Sequence, residues 1–215
     1  MKLKMMGTVL LAIIALTMPV LAKDKEMGKV TPVALRNWGV IDLPQNILLG
    51  SGTQPTLTAQ EAGNDMISLL QRIYPAVIES YQIVEKDNAA FQYGVLLHTT
   101  LSNSDVAQMI GAGGTADDLA AAATERLKTQ LPYALRLTRP LAAKKSNGNT
   151  FYEGAVARSM IINREYFTEN IRIIAWQHGS VTEIILIIAA GDGNDQFLNT
   201  VTGVLENMKQ VSSRK

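Results

Sequence analysis

The chain has 215 residues, with 20 basic and 19 acidic side chains, no cysteine and a hydrophobic fraction of 47%. This length and apolar content suit one domain with a hydrophobic core of its own. The near-zero net charge gives no support for a nucleic-acid or anionic-membrane partner, and the absence of cysteine excludes disulfides, thiol catalysis and cysteine-ligated metals.

The first 22 residues have the layout of a secretory signal peptide. Residues 1–4 are basic, residues 5–16 are almost wholly apolar, and Pro19 interrupts that run before a Val-Leu-Ala sequence ending at Ala22. These side chains suit a cleavage site after Ala22, so we predict an exported protein, periplasmic or secreted and free of the membrane after cleavage. An uncleaved anchor helix is the alternative, because the run approaches the ~20 residues that span a bilayer.

Residues 23–35 predict a flexible leader, and residues 36–212 predict a single domain. Residues 40–49 predict a hairpin, because Pro44 cannot donate to a strand ladder and the following Gln-Asn pair favours a turn. A capping box at residues 58–61 predicts a helix that ends before Pro75.

The middle of the chain alternates between strand and helix patterns. Residues 77–85 predict a strand, and the alternation in residues 91–101 predicts a half-buried strand with His98 on its polar face. After a glycine-rich connector, Thr115 predicts the N-cap of a helix. The apolar stripe predicted for that helix consists of Leu119, Ala123, Leu127 and Leu131.

Four strands and a closing helix are predicted for the last third of the chain, at residues 134–144, 150–163, 167–178 and 181–190 and from Asn194 or Asp195 onward. Residues 184–190 are apolar on both alternate faces, which predicts a strand covered on both sides. Short turns make neighbouring strands antiparallel. The predicted fold is therefore α+β, an antiparallel β-sheet with helices on both faces, or α/β/α sandwich.

The order of these elements resembles that of the Mog1/PsbP-like superfamily. Residues 40–49 and 184–208 carry the resemblance, which is one of element order and not of a residue motif. It implies a binding or accessory module, and no functional residue is transferred from it.

His98 and His178 are the only histidines, and histidine is the usual general base and metal ligand. Neither has a second histidine or a carboxylate at ligand spacing, and no serine-nucleophile or zinc-protease motif is present. Residues 111–115 lack the lysine of a phosphate-binding loop, and residues 192–195 lack the spacing of an EF-hand loop. The sequence predicts no catalytic residue, no metal site and no cofactor.

The predicted binding surface consists of Arg172, Trp176 and His178, which share one strand face, and of Arg158 if the register of the neighbouring strand places it beside them. Arginine and tryptophan are enriched at binding hot spots, so the partner is predicted to be a protein or an envelope component. The alternative is that helix packing covers Trp176.

The leading functional prediction is an exported, non-enzymatic binding or accessory protein. One alternative is an exported hydrolase that uses His98 or His178 with carboxylates assembled by the fold. The other is a membrane-anchored envelope protein with an uncleaved N-terminal helix. A pocket in which either histidine meets a carboxylate would favour the enzyme.

Overall fold

The computed structural model describes residues 30–35, 39–50, 68, 78–86, 91–111, 113–131, 134–146, 149–162, 164–191 and 194–208. The predicted signal peptide lies outside the described residues, as does the helix predicted after residue 58, except for Ser68, which is helical. No helix in these ranges has both the length and the apolar composition needed to cross a membrane.

The nine strands are β1 (Val30–Leu35), β2 (Gly39–Pro44), β3 (Ile47–Gly50), β4 (Glu79–Glu85), β5 (Phe91–Ser102), β6 (Leu135–Ser146), β7 (Asn149–Ile162), β8 (Glu165–His178) and β9 (Val181–Gly191). Strands β1 and β2 pair with each other. The other seven form one antiparallel sheet in the order β3-β4-β5-β9-β8-β7-β6. The predicted antiparallel sheet is confirmed.

The start of the domain differs from the prediction in two ways. The last six residues of the predicted leader form β1, which pairs with β2. The hairpin predicted for residues 40–49 is wrong, because β2 pairs with β1 whereas β3 pairs with β4. The chain does turn at Gln45 and Asn46, but this turn leads from one sheet into another.

The three described helices are α1 (Asn103–Ile110), α2 (Ala116–Gln130) and α3 (Asn194–Glu206). The predicted cap of α2 is confirmed, since Thr115 and Asp118 form a reciprocal capping box. Sequence analysis missed α1. This helix begins after Ser102, whose hydroxyl accepts a hydrogen bond from the N–H of Asp105 at 3.0 Å, and ends at Gly111 in the left-handed conformation with φ 69°.

Helices cover both faces of the sheet, as predicted. On one face α3 and β2 form a core cluster with Trp176, Ile185 and Ile187. The opposite face carries Leu97, Leu186 and Ile188 and lies beneath α1 and α2. Strand β9 is therefore buried on both sides. The same is true of β5, which corrects the half-buried prediction: Leu96 and His98, on its predicted polar face, are buried as well.

Candidate functional site

A cavity of about 270 Å³ lies between the sheet and the pair of helices α1 and α2, and it is partly open to solvent. Its floor includes Leu97, Ile171, Ile173 and Ile184 from three neighbouring strands, and its wall is almost entirely apolar. The roof is formed by Val106, Met109 and Ile110 of α1 and by Leu119, Ala123 and Leu127 of α2.

The sequence of α2 explains why a space remains beneath it. Four consecutive alanines, residues 120–123, favour a helix, and the one that lines the cavity, Ala123, presents only a methyl group to it. The position of α2 is fixed at its middle by Thr124, whose hydroxyl accepts a hydrogen bond from the backbone N–H of Leu141 in β6 at 3.0 Å. The residues predicted as a buried stripe therefore line a cavity, and Leu131 also packs against the core cluster on this face of the sheet.

The rim of the cavity is polar at one side. Arg126 and Gln130 both line the cavity and are solvent-exposed, one helical turn apart on α2. Among the described residues that line the cavity, Arg126 is the one with a permanent charge. Within the described part of the chain, its guanidinium has no carboxylate partner, whereas the nearby Lys128 pairs with Glu125 at 2.6 Å.

Both histidines meet one carboxylate, that of Glu183, on the opposite face of the sheet. The Nε2 atom of His98 lies 2.7 Å from one oxygen of Glu183, and the Nε2 atom of His178 lies 3.1 Å from the other. The Thr100 hydroxyl donates a hydrogen bond to the first oxygen at 2.6 Å. His98 and Glu183 are 5% and 6% exposed, so this cluster is largely removed from water.

Two opposing effects act on the charge of Glu183. Burial alone raises the pKa of its carboxyl group, but hydrogen bonds from His98, Thr100 and His178 outweigh burial and lower the pKa below its ordinary value. Glu79 extends the cluster, since its carboxylate lies 3.7 Å from Nδ1 of His98 and accepts the Tyr81 hydroxyl at 2.8 Å. Glu183 is thus held as an anion.

This cluster differs from a nucleophile–histidine–acid triad. In such a triad the histidine accepts the proton of the nucleophile, whereas here the Thr100 hydroxyl donates to the carboxylate of Glu183. Across the described residues, no group of three or more histidine, aspartate or glutamate side chains could hold a metal ion. The reaction type that this cluster could support is acid–base catalysis by His178, because its side chain is 31% exposed and could reach a substrate.

The residues of the predicted binding surface do not form one exposed patch. Trp176 is 2% exposed and packs against Phe151, with ring centroids 5.9 Å apart, which matches the alternative that packing covers it. Arg172 is buried and donates hydrogen bonds to Glu153 at 3.1 Å and to Asn199 at 3.0 Å. Of Arg172, Trp176 and His178, His178 has the most contact with solvent. Whether they contact a partner stays a prediction.

Arg158 lies on the other face of the sheet from Arg172. Its cross-strand partner is Glu169, which is fully buried and forms an ion pair with it. Glu169 also accepts a hydrogen bond of 2.7 Å from the Tyr93 hydroxyl. Burial, followed by the negative charge of Glu169, raises the pKa of Tyr93 far above its ordinary value, so Tyr93 remains a donor. Arg158 is therefore part of a buried structural network.

No protein-family model matches the chain, and no curated protein sequence matches it. Solved structures that match include PA94, a protein of unknown function from Pseudomonas aeruginosa (9% identity, covering 87% of this chain and 99% of that one, TM-score 0.44). LpqN of Mycobacterium tuberculosis, described as involved in cell envelope biogenesis, matches at 13% identity (85% and 91% covered, TM-score 0.40).

The PsbP protein of Synechocystis sp. PCC 6803, CyanoP, matches at 7% identity, covering 85% of this chain and 93% of that one, with a TM-score of 0.42. TM-scores below 0.5 at these identities establish neither a family nor a function. A PsbP protein is thus among the matching chains, and membership of the Mog1/PsbP-like superfamily stays a prediction.

Proposed function

We propose that this chain is an exported, non-enzymatic binding or accessory protein that holds an apolar ligand in the cavity beneath α1 and α2. The observation that supports the proposal is the cavity itself. Its wall is almost entirely apolar, so water inside it can form few hydrogen bonds with the protein, and an apolar occupant that displaced this water would be stabilised by burial of its surface.

The character of the wall favours an apolar occupant. A polar molecule that entered would lose its hydration without gaining hydrogen bonds, because the wall offers almost no polar surface. An alkyl chain would gain about 0.8 kcal/mol for each methylene group that leaves water. The export part of the proposal rests on the signal-peptide pattern of residues 1–22.

The test is calorimetric titration of the folded protein with 1-decanol, a neutral molecule with one alkyl chain. We expect the wild-type protein to bind decanol and to melt at a higher temperature in its presence. Ala123→Phe places a ring in the cavity and should reduce decanol affinity at least tenfold. Ala121→Phe is the matched control, since Ala121 is exposed on the same helix and does not line the cavity. Absence of decanol binding by the folded wild-type protein would contradict the proposal.

A second candidate function is hydrolysis, which the meeting of His98 and His178 at Glu183 favours. Glu183 and the cavity-facing Ile184 point to opposite faces of the sheet, and His178 is the more exposed of the two histidines, so substrate would approach from the side of His178. Cleavage of a small ester such as p-nitrophenyl acetate by the wild-type protein, and its loss in Glu183→Gln with folding retained, would support this function.

A further inference from the structure

We propose that the ligand of the cavity is an amphiphile with one short apolar chain and an anionic head group, and that Arg126 binds the head group. This inference rests on the proposed function and adds the chemical class of the ligand. It follows from where charge is found around the cavity and from the volume available.

The inside of the cavity can accept only the apolar part of a ligand. Its walls consist almost entirely of carbon atoms, so any charged part of a ligand must remain at the opening. The opening is where exposed polar side chains join the lining, and these are Arg126 and Gln130. A head group at this position would keep contact with water while its chain occupies the cavity.

On the side of α2 that lines the cavity, polar side chains occur only toward the C-terminal end of the helix. Leu119, Ala123 and Leu127 recur at intervals of four residues, and Arg126 and Gln130 continue the same side toward the end of the helix. The aliphatic stem of an arginine can pack on apolar surface while its guanidinium reaches water. Arg126 is thus placed to line the cavity with its stem and to present a charge at its rim.

Among the residues that the structure describes, no carboxylate pairs with Arg126. Lys128, near the end of the same helix, pairs with Glu125, while Arg158 and Arg172 pair with buried or half-buried carboxylates. An anion at the rim would therefore not have to displace any carboxylate of those described residues. A guanidinium also fits a carboxylate or phosphate through two parallel N–H donors.

The volume suits a single short alkyl group. An apolar protein cavity of about 150 Å³ holds benzene, which has six carbons, so 270 Å³ corresponds to about eleven carbons at the same density. Decanoate therefore has a suitable chain length and an anionic head. Decanol and decyltrimethylammonium carry chains of the same length with neutral and cationic heads.

The experiment titrates these three molecules into the wild-type protein and into the variants Arg126→Gln and Lys128→Gln. We expect decanoate to bind the wild-type protein about fivefold more tightly than decanol, the effect of one exposed ion pair, and decyltrimethylammonium to bind more weakly than decanol. Arg126→Gln should lower decanoate affinity about fivefold and change decanol affinity less than twofold. Lys128→Gln, the control for loss of a nearby charge, should change neither.

Two kinds of failure are distinguishable. Equal affinities of the wild-type protein for decanoate and decanol, or equal effects of Arg126→Gln and Lys128→Gln, would overturn the assignment of an anionic head group and leave the proposed function standing. Failure of all three molecules to bind the folded wild-type protein would overturn both. Decanoate binding that weakens with added salt while decanol binding does not would support the charge contact.

Discussion

Glu183 and Ile184 are consecutive residues of β9, and their side chains lie on opposite faces of the sheet. Glu183 accepts hydrogen bonds from both histidines of the chain, whereas Ile184 lines the cavity. The alternation of β9 thus places the Glu183 carboxylate and the Ile184 side chain on opposite faces of the sheet, while His98 both contacts Glu183 and is among the residues that line the cavity. Variants on one face should therefore report on binding in the cavity, and variants on the other face on the polar cluster.

We expect the domain to lose stability as the pH falls through the acidic range, in part through Glu183. Hydrogen bonds that outweigh burial lower the pKa of Glu183 below its ordinary value of 4.5. A carboxyl group with a lowered pKa in the folded state stabilises the protein at pH values above its unfolded pKa. That contribution is lost as the pH falls through the folded pKa.

Urea unfolding measured between pH 7 and pH 3 tests this expectation. The free energy of unfolding of Glu183→Gln should be lower at pH 7 and should fall less steeply below about pH 4.5 than that of the wild-type protein. Glu125→Gln is the control, because Glu125 is exposed and pairs with one lysine at the surface. Parallel pH profiles for the wild-type protein and Glu183→Gln would contradict the role given to its hydrogen bonds.

Charges placed on either side of β9 should prevent folding. Ile185 packs in the core cluster beneath α3, and Leu186 lies on the cavity face, so Ile185→Asp and Leu186→Asp each bury an unpaired charge. Such a charge costs several kcal/mol, comparable with the whole stability of a domain. Circular dichroism with urea unfolding measures the effect. Leu48→Asp, at a position 45% exposed, should remain folded.

If either Ile185→Asp or Leu186→Asp unfolded cooperatively near the wild-type midpoint, the face that carries the substituted residue would not be buried in solution. The comparison is informative because the two positions are adjacent in sequence. Local propensity is nearly the same for both, so the difference between them reports the packing of each face.

The α/β/α sandwich was predictable because a strand buried on both faces has a recognisable local sequence pattern. Residues 184–190 are apolar at every position. The pairing of β2 was not predictable in this way. The turn at Gln45 looks the same whether the chain returns along its previous strand or enters another sheet. Only long-range contacts, which no local pattern records, distinguish these two outcomes.

The cluster of His98, His178 and Glu183 could not be predicted from the sequence either, because it also depends on long-range contacts. His98 and Glu183 are 85 residues apart, and the register that pairs His98 with Ile185 brings them together. The cavity has no sequence signal of its own, because a helix that packs tightly and a helix that roofs a space show the same apolar stripe. The alanines of α2 were the one indication that the stripe is thin.

Breaking the buried pair of Arg158 and Glu169 should destabilise the domain. Arg158→Met leaves the fully buried Glu169 without its ion-pair partner, which costs about 3–5 kcal/mol. Adding Glu169→Gln removes the charge but keeps an oxygen that can accept the Tyr93 hydroxyl, so the double variant should recover most of this loss. Urea unfolding of both variants measures the effect. A double variant as unstable as Arg158→Met would show that packing, and not charge, determines the loss.

We expect cleavage after Ala22 when the full chain is produced in a bacterial host with an active secretion pathway. The residues at positions 20 and 22 fit the small-residue recognition of the signal peptidase, and Pro19 ends the apolar run. Intact-mass measurement of the released protein should give a chain that starts at Lys23. Ala22→Phe should block this cleavage. Full-length protein retained in the membrane fraction would instead support the anchored alternative.

The double variant His98→Gln with His178→Gln should keep the binding activity of the protein. Both histidine rings contact Glu183 rather than the cavity-facing Ile184, although His98 is among the residues that line the cavity, and the glutamine amide can still donate a hydrogen bond toward Glu183. Decanol affinity should therefore stay within about twofold of the wild-type value, since the apolar side chains that form most of the cavity wall are unchanged. Circular dichroism confirms the fold, and titration calorimetry measures the affinity.

Histidine is the main source of acid–base chemistry near pH 7 in this cysteine-free chain, so the same variant decides between the two candidate functions. A binding protein has no ester hydrolysis to lose, and the wild-type protein should release p-nitrophenol no faster than the double variant. Faster release by the wild-type protein, abolished in a variant that remains folded and still binds decanol, would establish the cluster at Glu183 as an active site and replace the non-enzymatic proposal.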